Sequence, residues 1–447
     1  MNNLEVMKSV ISGAAVGSEL SCREKVCFLT LGCKLNQCES EELRRRFEEN
    51  GFRPVEDIPL ADTVFVSTCG VTARAEQKSR QIVGHILSLN PHAKVVVAGC
   101  AVQRFPDSFA HIPGVSIVLG SRERLNPFPY LRTGVRKAVS GIDSADATIA
   151  SGAPHGRTRA LLKIQDGCSV NCSYCVVPES RGPSRSIQPD DVIASVKQLT
   201  QSDYHEIVLS GVNIGDYGRG LEGWNLLRLI EELSVLPNDF RIRLSSLEPW
   251  TITPELLQHV ISSDRICSHL HIPIQSGSSE TLKRMGRPYK RSDLEAILNA
   301  VAEVPGMGLG ADVITGFPGE SDSDFRDTAD IIEKYPFSYL HVFPFSRRPG
   351  TLAYDFPDQL PTAEITRRAK ILRELGQRKK TKFQANLIGS IQSVIMEHKL
   401  EGIYRFGTSS NYAKVKVTGD LTPGRIYQIR ITAADHKLLV GELIEGD

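Results

Sequence analysis

"DGCSVNCSYCVVP", Asp166 to Pro178, puts Cys168, Cys172 and Cys175 on one short loop of a 447-residue chain that has ten cysteines. The loop overlaps and follows "ALLKIQD", an apolar run of strand length that opens a series. The later runs "HEIVLSG", "FRIRLSS", "SHLHIPI", "GLGADVITG" and "SYLHVFPF" each precede a segment patterned for a helix. Six such units predict an α/β architecture, an incomplete (β/α) barrel whose site gathers at the C-terminal strand ends. That rim carries Cys168, Gly211, Asn213, Ser246, Gln275 and Gly316. Thiols scattered through so long a chain do not read as a disulfide framework, so a cluster of three reads as metal ligands. Structural zinc would need a fourth ligand, for which His155 or His205 offers itself. A 4Fe-4S cluster held by three cysteines instead leaves one iron open to an outside ligand.

Upstream, "VCFLTLG", "DTVFVSTCG", "AKVVVAGC" and "GVSIVLG" alternate with amphipathic stretches such as "NQCESEELRRRFEENGF". The alternation predicts a parallel sheet with helices on its faces. Three of these strands give way to a cysteine: Cys33, Cys69 and Cys100. In an open parallel sheet the carboxyl ends face one crevice, so cysteines far apart in sequence converge there. "SGIDSADATIASGAPHG" is small, polar and aperiodic, and reads as a linker. After a long basic helix, five short runs from "SIQSVIMEH" to "KLLVGEL" predict a small antiparallel β-barrel, a common nucleic-acid platform. The expected organisation is an N-terminal extension over 1–24, an α/β domain over 25–137, a linker over 138–153, the (β/α) barrel over 154–384 and the small barrel over 385–447. With 41% apolar residues, 23% charged residues and a formal charge of +1, any nucleic-acid surface must be local. No apolar run approaches the roughly 20 residues that span a bilayer, and the thiol usage predicts a reducing, cytoplasmic compartment.

The blocks "TLGCKLNQCESE", "VSTCGVT", "VAGCAVQ", "DGCSVNCSYCVVPESRGPSRS", "LHIPIQSGSSETLKRMGR", "DVITGFPGES" and "HVFPFSRRPGT" resemble, in order, the signature blocks of the radical S-adenosylmethionine (SAM) methylthiotransferases. The resemblance implies an N-terminal domain with its own 4Fe-4S cluster, a radical SAM barrel and a C-terminal TRAM domain that holds RNA. Carried over by motif, Cys33, Cys69 and Cys100 match the auxiliary-cluster ligands, and Cys168, Cys172 and Cys175 match the ligands of the SAM-coordinating cluster. It also implies two SAM per turnover: one methylates a sulfur at the auxiliary cluster, and the second supplies the radical that lets the methylthio group join carbon 2 of an adenine. "LGCKLNQCES" is similar to the branch acting on N6-threonylcarbamoyladenosine at position 37 of tRNA, beside the anticodon. The rival substrates are isopentenyladenosine in tRNA and an aspartate of a ribosomal protein. A rival of another class is a non-catalytic iron-sulfur RNA-binding protein. The implied partners are tRNA, an electron donor such as a flavodoxin or ferredoxin system, and a sulfur source, for a monomer with no membrane contact.

Other residues are candidates on the rim. Tyr174, Gly211, Asn213, Ser246, Glu248, Gln275, Asp312 and Gly316 are the candidate SAM contacts, with Ser245 beside them. Glycine at a strand end permits close backbone approach, although a tight turn explains it equally. His271 reads as a buried, hydrogen-bonded histidine, and Ser321 as a helix N-cap. For RNA the candidates are Lys379, Lys380 and Lys382 on the basic helix, with Arg367 and Arg368 nearby, and Tyr404, Phe406 and Tyr412 as stacking aromatics. Arg181, Arg185, Arg284, Arg287, Lys290 and Arg291 extend that surface. Cys38 reads as a small packed side chain, with cluster contact or a transient persulfide as the alternative. Cys22, Cys27 and Cys267 have no assigned chemistry.

Overall fold

Short apolar strands set the frame of the computed structural model, which describes residues 24–142, 150–152, 157–435 and 437–444. Residues 1–23 of the expected extension, with Cys22, lie outside the described residues, as do His155 and half of the expected linker. Strands β1 (Lys25–Thr30), β2 (Arg53–Pro54), β3 (Thr63–Thr68), β4 (Lys94–Gly99), β5 (Val115–Leu119) and β6 (Lys137–Ala138) form one parallel sheet in the order β2-β1-β3-β4-β5-β6. β3 is buried at every position, as a parallel strand covered on both faces must be. On one face Val64, Val66, Val95 and Val97 pack with Val83 and Ile86 of the helix Ala73–Leu89. On the other, Phe65 and Val96 pack with Leu43 and Phe47 of the helix Lys34–Glu49. Phe47 is fully buried and meets Phe28, Phe52, Phe65 and Phe128. Truncating it to alanine costs about 3–5 kcal/mol.

The strand β7 (Ala150–Gly152) comes from the segment read as linker and pairs antiparallel with β8 (Ala160–Lys163). The sequence gives no sign of it because Ala-Ser-Gly carries no apolar period. β9 (Gln165–Asp166) and β10 (Arg185–Ser186) pair around the cysteine loop. β8 joins β11 (Glu206–Ser210), β12 (Arg241–Leu244), β13 (His269–Gln275), β14 (Gly308–Thr315) and β15 (Tyr339–Pro344) as the six expected parallel strands. The ladder is interrupted between β12 and β13, where isolated bridges, Ile242 to Ile266 and Ser246 to His271, replace it. Leu162, Ile207, Leu209, Ile242, Leu270, Ile272, Leu309, Ala311 and Val313 point outward into the core beneath the helices. Strand alternation therefore turns Lys163, Glu206, Arg243, His269, His271, Asp312 and Tyr339 into the lumen. The helix Lys34–Glu49 closes on the β7–β8 edge, where the Cys38 thiol donates to the Leu161 carbonyl at 3.3 Å.

β16 (Ile391–Glu401), β17 (Tyr404–Ser409), β18 (Lys414–Thr418), β19 (Ile426–Ala434) and β20 (Leu439–Leu443) close a second, small barrel. Its pairs are antiparallel except β18 with β20. It docks at the N-terminal ends of the large barrel's strands. Arg241 donates to the Ser393 and Thr408 carbonyls, and Arg243 to those of Ser409 and Ser410. Buried Glu206 holds both guanidiniums. Burial opposes its charge, yet Arg243 and Arg241 outweigh that and hold the carboxyl well below its usual range. Among the described residues no helix is long and apolar enough to cross a membrane.

Candidate active site

The N-terminal thiols converge at the carboxyl edge of their sheet. Cys33 is the N-cap residue of the helix Lys34–Glu49, Cys69 directly follows β3, and Cys100 begins the helix Cys100–Arg104 directly after β4. Two glycines set this geometry. A Cβ on Gly32, at φ +100°, would lie 3.0 Å from the Cys69 sulfur, and one on Gly99, at φ +109°, would lie 2.7 Å from the Thr68 carbonyl oxygen. Burial pushes the Cys69 thiol up to about 11, with the charges of Cys100 and Cys33 adding to the effect.

The second triad wraps the loop after β9. Gly167, at φ +69°, sits where a Cβ would lie 2.0 Å from the Pro183 carbonyl oxygen. The Cys168 sulfur accepts from the Val170 N–H, that of Cys175 from the Val177 N–H, and that of Cys172 from the Arg287 guanidinium, each at 3.4 Å. Donors aimed at sulfur stabilise thiolates and tune a cluster's potential. Burial pushes the Cys175 thiol up to about 12. A zinc ion bound at about 2.3 Å needs sulfurs about 3.8 Å apart. Neither triad meets that need, since among the described residues only His271, Asp312 and His341 bring three donor atoms within 4.8 Å of one another. His205 lies at the other end of β11, bound to the Asp239 carbonyl and Arg425, so it completes no zinc site with Cys168, Cys172 and Cys175.

A buried ionic network joins the triads. Glu39 accepts from Arg124, Lys163 and Arg181, and Asp166 accepts from Lys163 and Arg181. Asn36, one turn after Cys33, takes Arg124 and Arg181 on its amide oxygen. Burial would raise the Glu39 carboxyl, but Arg124, Arg181 and Lys163 hold it at about 2. Three buried cations face two carboxylates, leaving a positive charge beside the thiols, and the charges of Cys100 and Cys33 act on Arg181. Two anionic iron-sulfur clusters would balance it.

A radical SAM superfamily model matches residues 162–332, and the model of the uncharacterized protein family UPF0004 matches residues 25–120. The chain is 35% identical over 435 residues to the threonylcarbamoyladenosine tRNA methylthiotransferase of Bacillus subtilis, covering 94% of this chain and 96% of the relative. It is 33% identical over 445 residues to a tRNA-2-methylthio-N(6)-dimethylallyladenosine synthase of Moorella thermoacetica, covering 96% of this chain and all of the relative. A radical SAM methyltransferase of Kitasatospora setae, solved with cobalamin and a 4Fe-4S cluster, superposes with a TM-score of 0.54 at 13% identity, over 83% of this chain and 77% of that one.

The chain belongs to the radical SAM methylthiotransferase family.

A methylthiotransferase takes SAM and 4Fe-4S clusters, and the donor sets fit them. A 4Fe-4S cluster held by either set of three thiols would keep one iron open to an outside ligand. Near the second, Asn213 is buried with neither side-chain polar atom partnered, and Ser245 and Thr315 carry unpartnered buried hydroxyls. Such atoms at the ends of β11, β12 and β14 suit the polar groups of a bound nucleoside or amino acid. When bound, SAM and its reduced cluster supply one-electron chemistry that opens an inert C–H bond. The protein's own share is to hold, orient and exclude water.

The rim places the other expected SAM residues with varied surroundings. Glu248 pairs with Arg287, and burial, outweighing Arg287, pushes its carboxyl up. Tyr174 packs edge-on against Phe317, and Gln275 sits at φ +58° on a bulge of β13. Ser246 bridges to His271. Gly211 abuts the side chain of Gln165, whose amide oxygen accepts from the Asn213 N–H at 2.8 Å. Gly316 abuts Ile365 of the long helix Thr362–Asn386, and Asp312 pairs with His271 and His341.

Several arginines expected on an RNA surface are internal. Arg181 belongs to the ionic network, Arg287 lies between Glu248 and the Cys172 sulfur, and Arg368 is buried among Glu320, Asp322 and Glu364. Their partners are distant in sequence, so nothing local distinguishes them from solvated cations. Lys379 and Lys380 donate to the Glu333 and Lys437 carbonyls, and Lys382 is exposed. Tyr404 is half-buried beneath the Lys416 ammonium, and Phe406 lies buried beneath Lys399. Tyr412, at φ +70°, turns inward and stacks on His269 with ring centres 4.7 Å apart. It borders a cleft of about 470 Å³ lined also by Lys34, Arg157, Arg159, Lys399 and Lys414. Among residues passed over, Lys163 carried a signal, being a charge inside an apolar strand; Glu39 carried none.

Proposed function

We propose that this protein converts N6-threonylcarbamoyladenosine at position 37 of tRNA to its 2-methylthio form, using two SAM per turnover. The observation that carries the reading is a pair of three-thiol sites, joined by one buried network, in a chain of which 94% aligns with a relative of that name. Cys33, Cys69 and Cys100 hold the sulfur-bearing auxiliary cluster, and Cys168, Cys172 and Cys175 the cluster that binds SAM. Tyr174, Gly211, Asn213, Ser246, Glu248, Gln275 and Gly316 surround SAM. The small barrel and the end of the basic helix, with Lys379, Lys380, Lys382 and Tyr404, hold the RNA, and the basic cleft beside Tyr412 supports phosphate contact there. The enzyme works as a cytoplasmic monomer, reduced by a flavodoxin or ferredoxin system and resupplied with sulfur from outside.

A second reading, with dimethylallyladenosine as substrate, rests on the Moorella relative, which matches over as much of the chain. Mass spectrometry of tRNA nucleosides from a strain lacking the gene separates the two. The expected result is loss of the 2-methylthio form of threonylcarbamoyladenosine with accumulation of its precursor. Loss of the dimethylallyl product alone would establish the second reading.

A further inference from the structure

Inside the large barrel, three neighbouring strands bring together two imidazoles and a carboxylate. Parallel register sets Asp312 of β14 opposite His341 of β15, and Gly310 opposite both His271 of β13 and Tyr339 of β15. A Cβ on Gly310 would lie 2.1 Å from the Tyr339 ring, so the missing side chain is what lets that ring lie across the strand. The Tyr339 hydroxyl then meets Nδ1 of His271 and Nε2 of His269, each at 2.9 Å. With Nδ1 so engaged, Nε2 of His271 faces Oδ1 of Asp312 at 3.0 Å, and Nδ1 of His341 faces the same oxygen at 3.0 Å. All three donor atoms lie within 4.8 Å of one another.

Ligands about 2.1 Å from an octahedral ion, at right angles, stand about 3.0 Å apart. Both spacings from the Asp312 oxygen match that. Two histidines and one carboxylate on one face of an ion are a recurrent donor set for divalent first-row metals. The Tyr339 hydroxyl supplies the outer contact that fixes a ligating imidazole's orientation. The half-exposed His341 opens a path from solvent.

We propose that His271, Asp312 and His341, none of them a cysteine of the two triads, form a binding site for a divalent transition-metal ion, oriented by Tyr339. The site rests on the strand geometry and not on the identity of the nucleoside.

The test uses the full chain with both clusters reconstituted anaerobically, stripped of loosely held metal with a chelator, and then titrated with zinc. Zinc is the probe because iron would be confounded with the clusters. The expected result is one zinc per chain in excess of cluster metal, with iron and sulfide unchanged. His341→Ala should abolish this zinc while retaining its full iron content, which also reports that the variant has folded. Tyr339→Phe should keep the site but weaken it roughly tenfold, the usual effect of losing an outer-shell partner. If the unaltered protein holds no more zinc than His341→Ala, the three residues are a hydrogen-bonded triad only, and the proposal is wrong.

Discussion

Cys69 and Cys175 show what single residues contribute. Burial favours their neutral thiols, so on the proposed ligand assignment iron would displace protons to bind, and lowering the pH would favour protein without clusters. Fully loaded protein should hold about eight irons, and the pair Cys168→Ala with Cys172→Ala about half of that. Iron and sulfide analysis checks this, and one equivalent of zinc with little iron would contradict it. Arg287 is a second residue with a defined effect. Its guanidinium donates to the Cys172 sulfur, and reduction adds negative charge there. Arg287→Met should therefore make the SAM cluster harder to reduce, moving its potential to more negative values in an electron-paramagnetic-resonance redox titration. An unchanged potential would mean that the contact is only structural.

Elements explain why the fold was legible when parts of the site were not. Each of the six large-barrel strands and five small-barrel strands announced itself as a short apolar or alternating run, because burial on a pleated surface demands that pattern. Cys69 and Cys100 could be placed because strands of a parallel sheet end on one side. β7 could not be foreseen from Ala-Ser-Gly, nor Arg181 from a sequence that leaves Glu39 more than a hundred residues away. Such contacts exist only after the helix Lys34–Glu49 has met the large barrel. The turn from β4 into Cys100 has a direct test. Gly99→Ala would force φ +109° on a side chain and press it to 2.7 Å from the Thr68 carbonyl, together costing roughly 2–4 kcal/mol. The expected outcome is loss of the auxiliary cluster with the SAM cluster kept, seen as a halved iron content. Full iron in both sites would show that the turn relaxes freely.

At the scale of the whole molecule, three folded parts meet through buried charge. Glu39 ties the N-terminal sheet domain to the large barrel, and Glu206 orients the two arginines that grip the small one. Glu206→Gln leaves Arg241 and Arg243 without their counter-charge, a loss of about 3–5 kcal/mol for a buried pair. Limited proteolysis should then release the small barrel, whereas equal resistance would mean that its backbone contacts suffice. For the RNA surface, replacing Lys380 and Lys382 should lower the salt slope of tRNA binding by about one unit for each phosphate that is no longer neutralised, leaving SAM cleavage without RNA intact. The central claim, that the two triads divide the chemistry, is tested most directly with Cys69→Ala in an anaerobic assay on tRNA bearing threonylcarbamoyladenosine. The measurement is SAM cleavage alongside methylthio product, against the unaltered enzyme. The account expects cleavage to persist and product to vanish; product at the unaltered level, or equal loss of both, would contradict it.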